Sequence, residues 1–541
     1  MTPFLDAHPG GAGRIEMVDG FDLGKFWAVY RLHDRPHIRQ LLTEYLIGSL
    51  SPEDMAKVSE ETVFEDMYSA DPQRDKSKLR IPSEHPWNSE PASLRTLVDT
   101  FFTPNDVFFV RNHNPVPVLD EETWRLEIGA NPENGIMKDY SFSLQELKTL
   151  FKKHRVVATL QCAGNRQEDY VSESRPLYVA PHWRNGAIGC ALWGGVRVRD
   201  VLGYCGMDVD GISAGRTLLK NAKIVNFIAE DADETGVNYA GVIPIEKALD
   251  PLGDAILAYE MNGVTLPRDH GWPVRLLAPG HAGCRNVKWV GRIEVAERPS
   301  ELDAGSRLDR HFGPEVSWGM HKAHAASERC PEKESNMECK LRLDQGPVIQ
   351  TLPVQSIICL PEERSRICGK GDTIEVKGVA WSGGGRGICR VEISIDGGKN
   401  WYAADLTDRP KCQGCPPEMG MGRNWAWRHF NLNLPLPDPL KEVLEQKKVV
   451  EIELCAKAID GDFNSQPMEM SHSWNVLGVC VNHWHRVRVT LDPSLETGQI
   501  VPAPGPPAPG SPYWSDGMCH KCGSFVCQPS QWRHKTGQKW P

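Results

Sequence analysis

The apolar positions change period along the chain. In "HIRQLLTEYLIGSLSPED", Ile38, Leu41, Leu42, Tyr45 and Leu46 recur at helical spacing. With Phe26, Tyr30 and Leu32 ahead of them, they predict a helix-rich first unit over residues 1–52. Residues 53–95 lose that periodicity; "DPQRDKSKLRIPSEHPWNSEP" is charged and proline-bearing and reads as a linker. From 96 to about 320, short strand-like runs mix with helical spacings and glycine turns, which predicts an α+β domain. From 345 to 490 the period is that of strands and hairpins. "TIEVKGVAW", "CRVEISIDGGKNWYAADL" and "VVEIELCAKAID" alternate, with Asp396-Gly397-Gly398 as a hairpin turn, and they predict a β-sandwich. Residues 321–345 read as an insert or connector, and 491–541 as a tail whose "VPAPGPPAPGSP" is extended and polyproline-like.

One strand-like run ends in chemistry. In "VVATLQCAGNRQ", Val156, Val157 and Leu160 read as a buried strand that breaks into a turn at Cys162, Gly164 and Asn165. A free cysteine often does no more than fill a core. A strand end opening into a turn, however, is where such folds place reactive groups. Arg166, four residues on, would favour the thiolate, which is both a nucleophile and a metal ligand. Cys162 is therefore either a nucleophile or a ligand to a soft metal.

Composition narrows the classes. The chain has 541 residues and a net charge of −10, which argues against broad nucleic-acid binding. No run is long and apolar enough to span a bilayer. The opening "MTPFLDAHPGGAGR" carries no basic presequence or signal peptide, and the closing "GQKWP" no peroxisomal or lipidation motif. The 16 cysteines are scattered, and most read as reduced core or ligand residues.

Several ordered segments together resemble the sulfite oxidase family of molybdenum enzymes. "TLQCAGNRQ" is similar to its molybdenum-cysteine motif and "FFVRNHNPVP" to its pterin-binding strand and loop. "LAYEMNGVTLPRDHGWPVRLLAPGHAGCRNVKWVGRIEV" resembles its longest signature; "VAWSGGGRG" and "SWNVLGVCVNHWHRVRV" resemble its dimerisation domain. The resemblance implies a molybdopterin-binding domain followed by an immunoglobulin-like sandwich that forms a homodimer. It implies Mo-molybdopterin as cofactor, with Cys162 as the protein thiolate on the metal. It makes Phe109, Val110, Arg111, Asn112, His113, Asp231, His270, Arg275, Asn286, Val287 and Lys288 the cofactor-binding positions, with Arg111 also facing the substrate. Trp183 would line the pocket.

"FLDAHPGG" and "FWAVYRLHDRPH" resemble the haem-ligand segments of a cytochrome b5 domain, with His8 and His33 as axial ligands of haem b. Such a unit ahead of the molybdenum domain is the sulfite oxidase arrangement. Because strands normally precede the His-Pro-Gly-Gly turn, residues 1–52 read as a b5-like unit lacking its start. The family implies sulfite as substrate, a cytochrome c-like electron acceptor and the mitochondrial intermembrane space, although the chain shows no targeting segment.

The substrate pocket departs from the family at three positions. Gln167 and Leu477 stand where the family has arginines, and Asp309 aligns with its tyrosine, with Arg307, Arg310 and His311 nearby. These changes leave open a same-fold oxidoreductase acting on nitrate or another oxide, and a member without turnover. In the tail, Cys519, Cys522, Cys527 and His534 have the ligand types of a structural zinc site, to which Cys412 and Cys415 are a second candidate pair.

Overall fold

The computed structural model describes residues 51, 67–171, 182–216, 219–233, 236–299, 310–313, 346–411, 423–475, 477–496 and 498–501, with the backbone of 514–515 and 518–519. His8, His33, Arg307, Asp309, Cys412, Cys415, Cys522, Cys527 and His534 lie outside the described residues.

The stretch read as linker carries β1 (Leu79–Glu84) and β2 (Trp87–Pro91), and β3 (Val110–Arg111) completes their antiparallel sheet. Next come β4 (Leu126–Ile128), β5 (Tyr140–Phe142), β6 (His154–Gln161) and β7 (Ile188–Arg197). Then follow β8 (Ile224–Ala232), β9 (Asn238–Pro244), β10 (Ile256–Met261), β11 (Val264–Thr265), β12 (Arg275–Leu277) and β13 (Val290–Ala296). One sheet has the order β11-β10-β7-β6, with β12 also on β10; another has the order β5-β4-β13-β8-β9. Short helices such as Leu144–Leu150 and Val198–Tyr204 pack between them, giving the expected α+β class. The apolar run of β6 is buried from Val156 to Gln161, as a strand covered on both faces must be.

The second domain holds β14 (Gln355–Leu360), β15 (Arg366–Cys368), β16 (Thr373–Trp381), β17 (Ile388–Ser394), β18 (Tyr402–Ala403) and β19 (Asp405–Thr407). It continues with β20 (Arg428–Pro435), β21 (Val450–Asp460), β22 (His485–Asp492) and β23 (Ile500–Val501). A sheet β14-β16-β20-β19 faces a sheet β18-β17-β21-β22-β15-β23 across a core that includes Ile358, Val376, Phe430, Leu454 and Val489. The predicted sandwich is present. Its Asp-Gly-Gly turn forms as read: Gly397 and Gly398 take positive φ while the Asp396 carboxylate accepts the amides of Lys399 and Asn400.

The two domains are bolted along the free edge of β6. The Thr159 amide donates to the Trp425 carbonyl at 3.0 Å, and the Trp427 amide to Thr159 Oγ1 at 2.9 Å. Beside them, the fully buried Asp254 carboxylate takes Arg423 Nε at 2.7 Å, Trp425 Nε1 at 2.9 Å and His154 Nε2 at 3.1 Å. Burial disfavours that carboxylate, but these bonds outweigh it and hold its pKa below the ordinary range. Asp254→Asn leaves Arg423 buried without its counter-ion and is expected to cost about 3–5 kcal/mol at neutral pH. Because the folded pKa is depressed, that contribution is complete above the unfolded value of about 3.9 and fades as pH falls through the folded one. Melting curves of wild type and variant should therefore differ at pH 7 and converge in strong acid.

Candidate active site

The Cys162 turn follows β6 directly. Its amide donates to the Ala187 carbonyl at 2.9 Å, and its carbonyl accepts the Asn165 amide at 3.0 Å. Asn165 Oδ1 takes the Ala187 amide at 3.0 Å, so the turn is pinned from both sides. The thiol is half-buried and packs against a cluster that includes Phe108, Phe109, Trp183 and Ala187. Arg166 does not act as the sequence suggests. It is fully buried, takes a positive φ of 68°, pairs with Asp169 at 2.8 Å and donates to the His483 carbonyl at 2.7 Å. Its charge is answered by Asp169, and its role is to hold the sandwich segment onto the turn.

A second group of residues converges beside this turn. Val110 and Arg111 pair with Ser89 and Asn88 of β2, which aims the Phe109–His113 loop inward. Arg111 donates to the Asn112 carbonyl at 2.5 Å and to Asn88 Oδ1 at 3.2 Å. Phe109 meets Trp183 edge-on with ring centroids 6.4 Å apart, tying this loop to the cysteine side. His113 stacks on Tyr239 at 4.8 Å. Lys288 Nζ donates to Asn112 Oδ1 and, at 2.9 Å, to the Asp269 carbonyl. Arg275 donates to the carbonyls of His270 and Asn286, each at 2.9 Å. His270 Nε2 lies 2.8 Å from the Asn105 carbonyl, and Asn114 Nδ2 donates to Asp231 at 3.1 Å. Asn286 takes the Ala278 amide at 2.8 Å, while Val287 sits in the core behind it. Gly283 joins the two groups. A Cβ there would lie 3.0 Å from the Gln161 carbonyl and 3.4 Å from Cys162 Cα, so only a glycine approaches so closely without displacement.

The electrostatics suit a polar, anionic guest. Burial pushes the His270 pKa down to about 4 and the Arg275 pKa down to about 9. His113 falls well below its ordinary value through burial and the charges of Arg111 and Lys288. Burial also lowers Lys288 and raises Asp231, its charge partner. Asn112 Nδ2, Arg275 Nε, Asp231 Oδ1 and Trp183 Nε1 are buried without a hydrogen-bond partner in the protein. Native proteins rarely leave such atoms unmatched. Three donors and one acceptor around buried cations fit a heterocycle carrying a phosphate, which is the chemistry of molybdopterin.

Sequence reading missed part of this surround. Arg74 grips Asp269 through both carboxylate oxygens at 2.8 and 2.6 Å, and Asp269 presents its carbonyl to Lys288. Arg74 sits in the stretch read as linker, where charge alone does not separate a buried guanidinium from a solvated one. Asn88, Asn105 and Tyr239 also carried no signal. At the departures, Gln167 Nε2 donates to the Leu477 carbonyl at 2.9 Å, and Leu477 packs in a cluster with Ala163 and Phe312. Arg310 donates to the Gly346 carbonyl at 2.6 Å, and burial lowers the His311 pKa.

Comparison with known proteins decides the family. The oxidoreductase molybdopterin binding domain family matches residues 113–302, and the Mo-co oxidoreductase dimerisation domain family matches residues 346–492. The chain is 39% identical over 495 residues to mitochondrial sulfite oxidase of Mus musculus, covering 91% of this chain and 80% of that one. The chain belongs to the sulfite oxidase family. Sulfite oxidase of Arabidopsis thaliana is 35% identical, over 78% of this chain and 96% of its own. The fold is also that of the sulfane dehydrogenase SoxCD from Paracoccus pantotrophus, with a TM-score of 0.55 and 20% identity over 82% of this chain and 99% of that one. The chain is thus a molybdenum-cofactor oxidoreductase of this family. Nothing in these likenesses supports zinc in the tail, and haem b rests on the sequence alone.

Proposed function

We propose that this chain oxidises sulfite to sulfate, with Cys162 as the protein ligand to molybdenum. The observation that supports this best is the close approach of Gly283 to the backbone of Gln161 and Cys162, while the Gly283 carbonyl takes the amide of Asn286, whose own carbonyl accepts Arg275. When bound, the cofactor supplies two-electron oxygen-atom chemistry. The chain's own residues bind and orient it. Arg275 and Lys288 answer its negative charge, Asn112, Asp231 and Trp183 offer the unmatched atoms, and Phe109 and Trp183 exclude water. Arg111, anchored on Asn88, offers its remaining N–H groups to a substrate anion. In the same reading, the sandwich forms a twofold homodimer, and electrons pass to haem b on His8 and His33 and then to a cytochrome c-like acceptor in the mitochondrion. A dimeric mass in solution and a b-type absorption spectrum are the readouts for these assignments. The function itself is tested by metal analysis of the purified chain together with sulfite-dependent reduction of cytochrome c. Full molybdenum occupancy without sulfite turnover would overturn it.

Affinity for sulfite is expected to be weak. Gln167 is 2% exposed and neutral, and its amide is committed to the Leu477 backbone. Leu477 is an apolar side chain in an apolar cluster, a poor place for a new charge. Gln167→Arg alone is therefore the informative exchange. One added charge-assisted hydrogen bond of about 1.5–3 kcal/mol should lower KM for sulfite roughly ten- to a hundredfold with kcat little changed. An unchanged KM would mean that position 167 does not reach the substrate.

A further inference from the structure

A buried carboxylate holds the segment that pins the Cys162 turn. Glu90 of β2 is 1% exposed. Its two oxygens accept the amides of Arg184 at 3.1 Å and Gly186 at 2.8 Å. Arg80, opposite it in the register of β1 and β2, donates to Glu90 and, at 3.1 Å, to the His182 carbonyl. The segment held in this way is the one that pins the turn. Ala187 takes the Cys162 amide at 2.9 Å, the Arg184 carbonyl takes the Arg166 amide at 2.6 Å, and the Trp183 carbonyl takes the Glu168 amide at 2.9 Å. Glu168 closes the ring by pairing with Arg80 and, at 2.8 Å, with Arg184.

From this chain of bonds we propose that Glu90 is a positioning residue for the molybdenum ligand: acting through residues 182–187, it fixes the backbone from which Cys162 presents its thiolate. The proposal rests on the reading of Cys162 as that ligand. The carboxylate is required chemically, because two N–H donors converge on it and a glutamine offers only one acceptor oxygen. Glu90→Gln keeps the volume but turns an NH2 group toward a backbone N–H. The 182–187 segment must then shift, and the turn with it. Lys288, Arg275 and Asp231 lie on other strands and loops that Glu90 does not touch, and of the four unmatched pocket atoms only Trp183 Nε1 belongs to the 182–187 segment. A small error in the placement of a reacting group is enough to cost turnover without loss of binding.

The test uses the full chain with two variants. Glu90→Gln removes the charge; Gly186→Ala keeps it and places a Cβ 3.0 Å from Glu90 Oε2, straining the same link. Pterin content, the sulfur-to-molybdenum charge-transfer absorption, and kcat and KM for sulfite are measured, together with the rate at which iodoacetamide alkylates Cys162 in cofactor-free protein. The expected result is pterin within about twofold of wild type, a shifted or lost charge-transfer band and Cys162 alkylation several-fold faster. kcat should fall roughly ten- to a hundredfold while KM stays within about threefold. Wild-type spectra, kcat and alkylation in both variants would overturn the proposal. So would a parallel loss of pterin, metal and melting temperature, which marks a purely structural role. If Glu90→Gln does not fold, Gly186→Ala decides the question alone. Failure of the ligand reading itself looks different: Cys162→Ser would then keep the wild-type band whatever the Glu90 variant does.

Discussion

Cys162→Ser is expected to lower sulfite turnover by roughly three orders of magnitude or more, leaving pterin in place. The exchange changes little in volume, and the turn's bonds are made by backbone atoms and by Asn165, all of which survive it. What changes is the donor. A thiolate is soft and forms near neutral pH, whereas a serine hydroxyl is hard and stays protonated. Pterin retention should persist because the unmatched atoms that fit it belong to Asn112, Arg275, Asp231 and Trp183. The measurement is turnover with metal and pterin quantified on the same sample. A Cys162→Ser protein with intact metal and full turnover would remove Cys162 from the site.

Legibility from sequence followed the range of each interaction. β6 and its turn were readable because an apolar run ending in Cys-Ala-Gly-Asn is local information. The sandwich was readable for the same reason, since strand alternation and the Asp396-Gly397-Gly398 turn are set by neighbours in the chain. The role of Arg166 was not readable. Its partners, Asp169 and the carbonyls of His483 and Trp484, include residues more than 300 positions away, and proximity in sequence to Cys162 suggested the wrong one. Arg74 and Glu90 failed in the same way. A charged residue in a proline-bearing stretch looks solvated until the fold supplies Asp269 for one and the amides of Arg184 and Gly186 for the other. Family resemblance named the pocket residues. Only the structure shows what each one touches and which of their polar atoms remain for a guest.

Lys288→Met is expected to have the opposite signature to Cys162→Ser: the pterin itself should be lost. Lys288 is the cation shared by the two halves of the pocket, reaching Asn112 in the first loop and the Asp269 carbonyl that Arg74 holds in place. Methionine nearly fills the space but donates nothing. Asp231 would then keep its buried position without the charge that favours its ionised form, and burial already raises its pKa. Two of its three N–H donors are spent on Asn112 and Asp269, so losing the one charge-assisted hydrogen bond left for the cofactor, about 1.5–3 kcal/mol, should weaken cofactor retention by roughly one to two orders of magnitude. Lys288→Arg should recover little, because a planar guanidinium does not replace a point-like ammonium in a pocket this enclosed. The readout is pterin released from purified protein by denaturation, measured by fluorescence, with melting temperature as a control for folding. Full pterin content in Lys288→Met would place the cofactor's anionic end elsewhere. Loss of pterin at an unchanged melting temperature would separate binding the cofactor from ligating its metal, and would assign those tasks to Lys288 and Cys162 respectively.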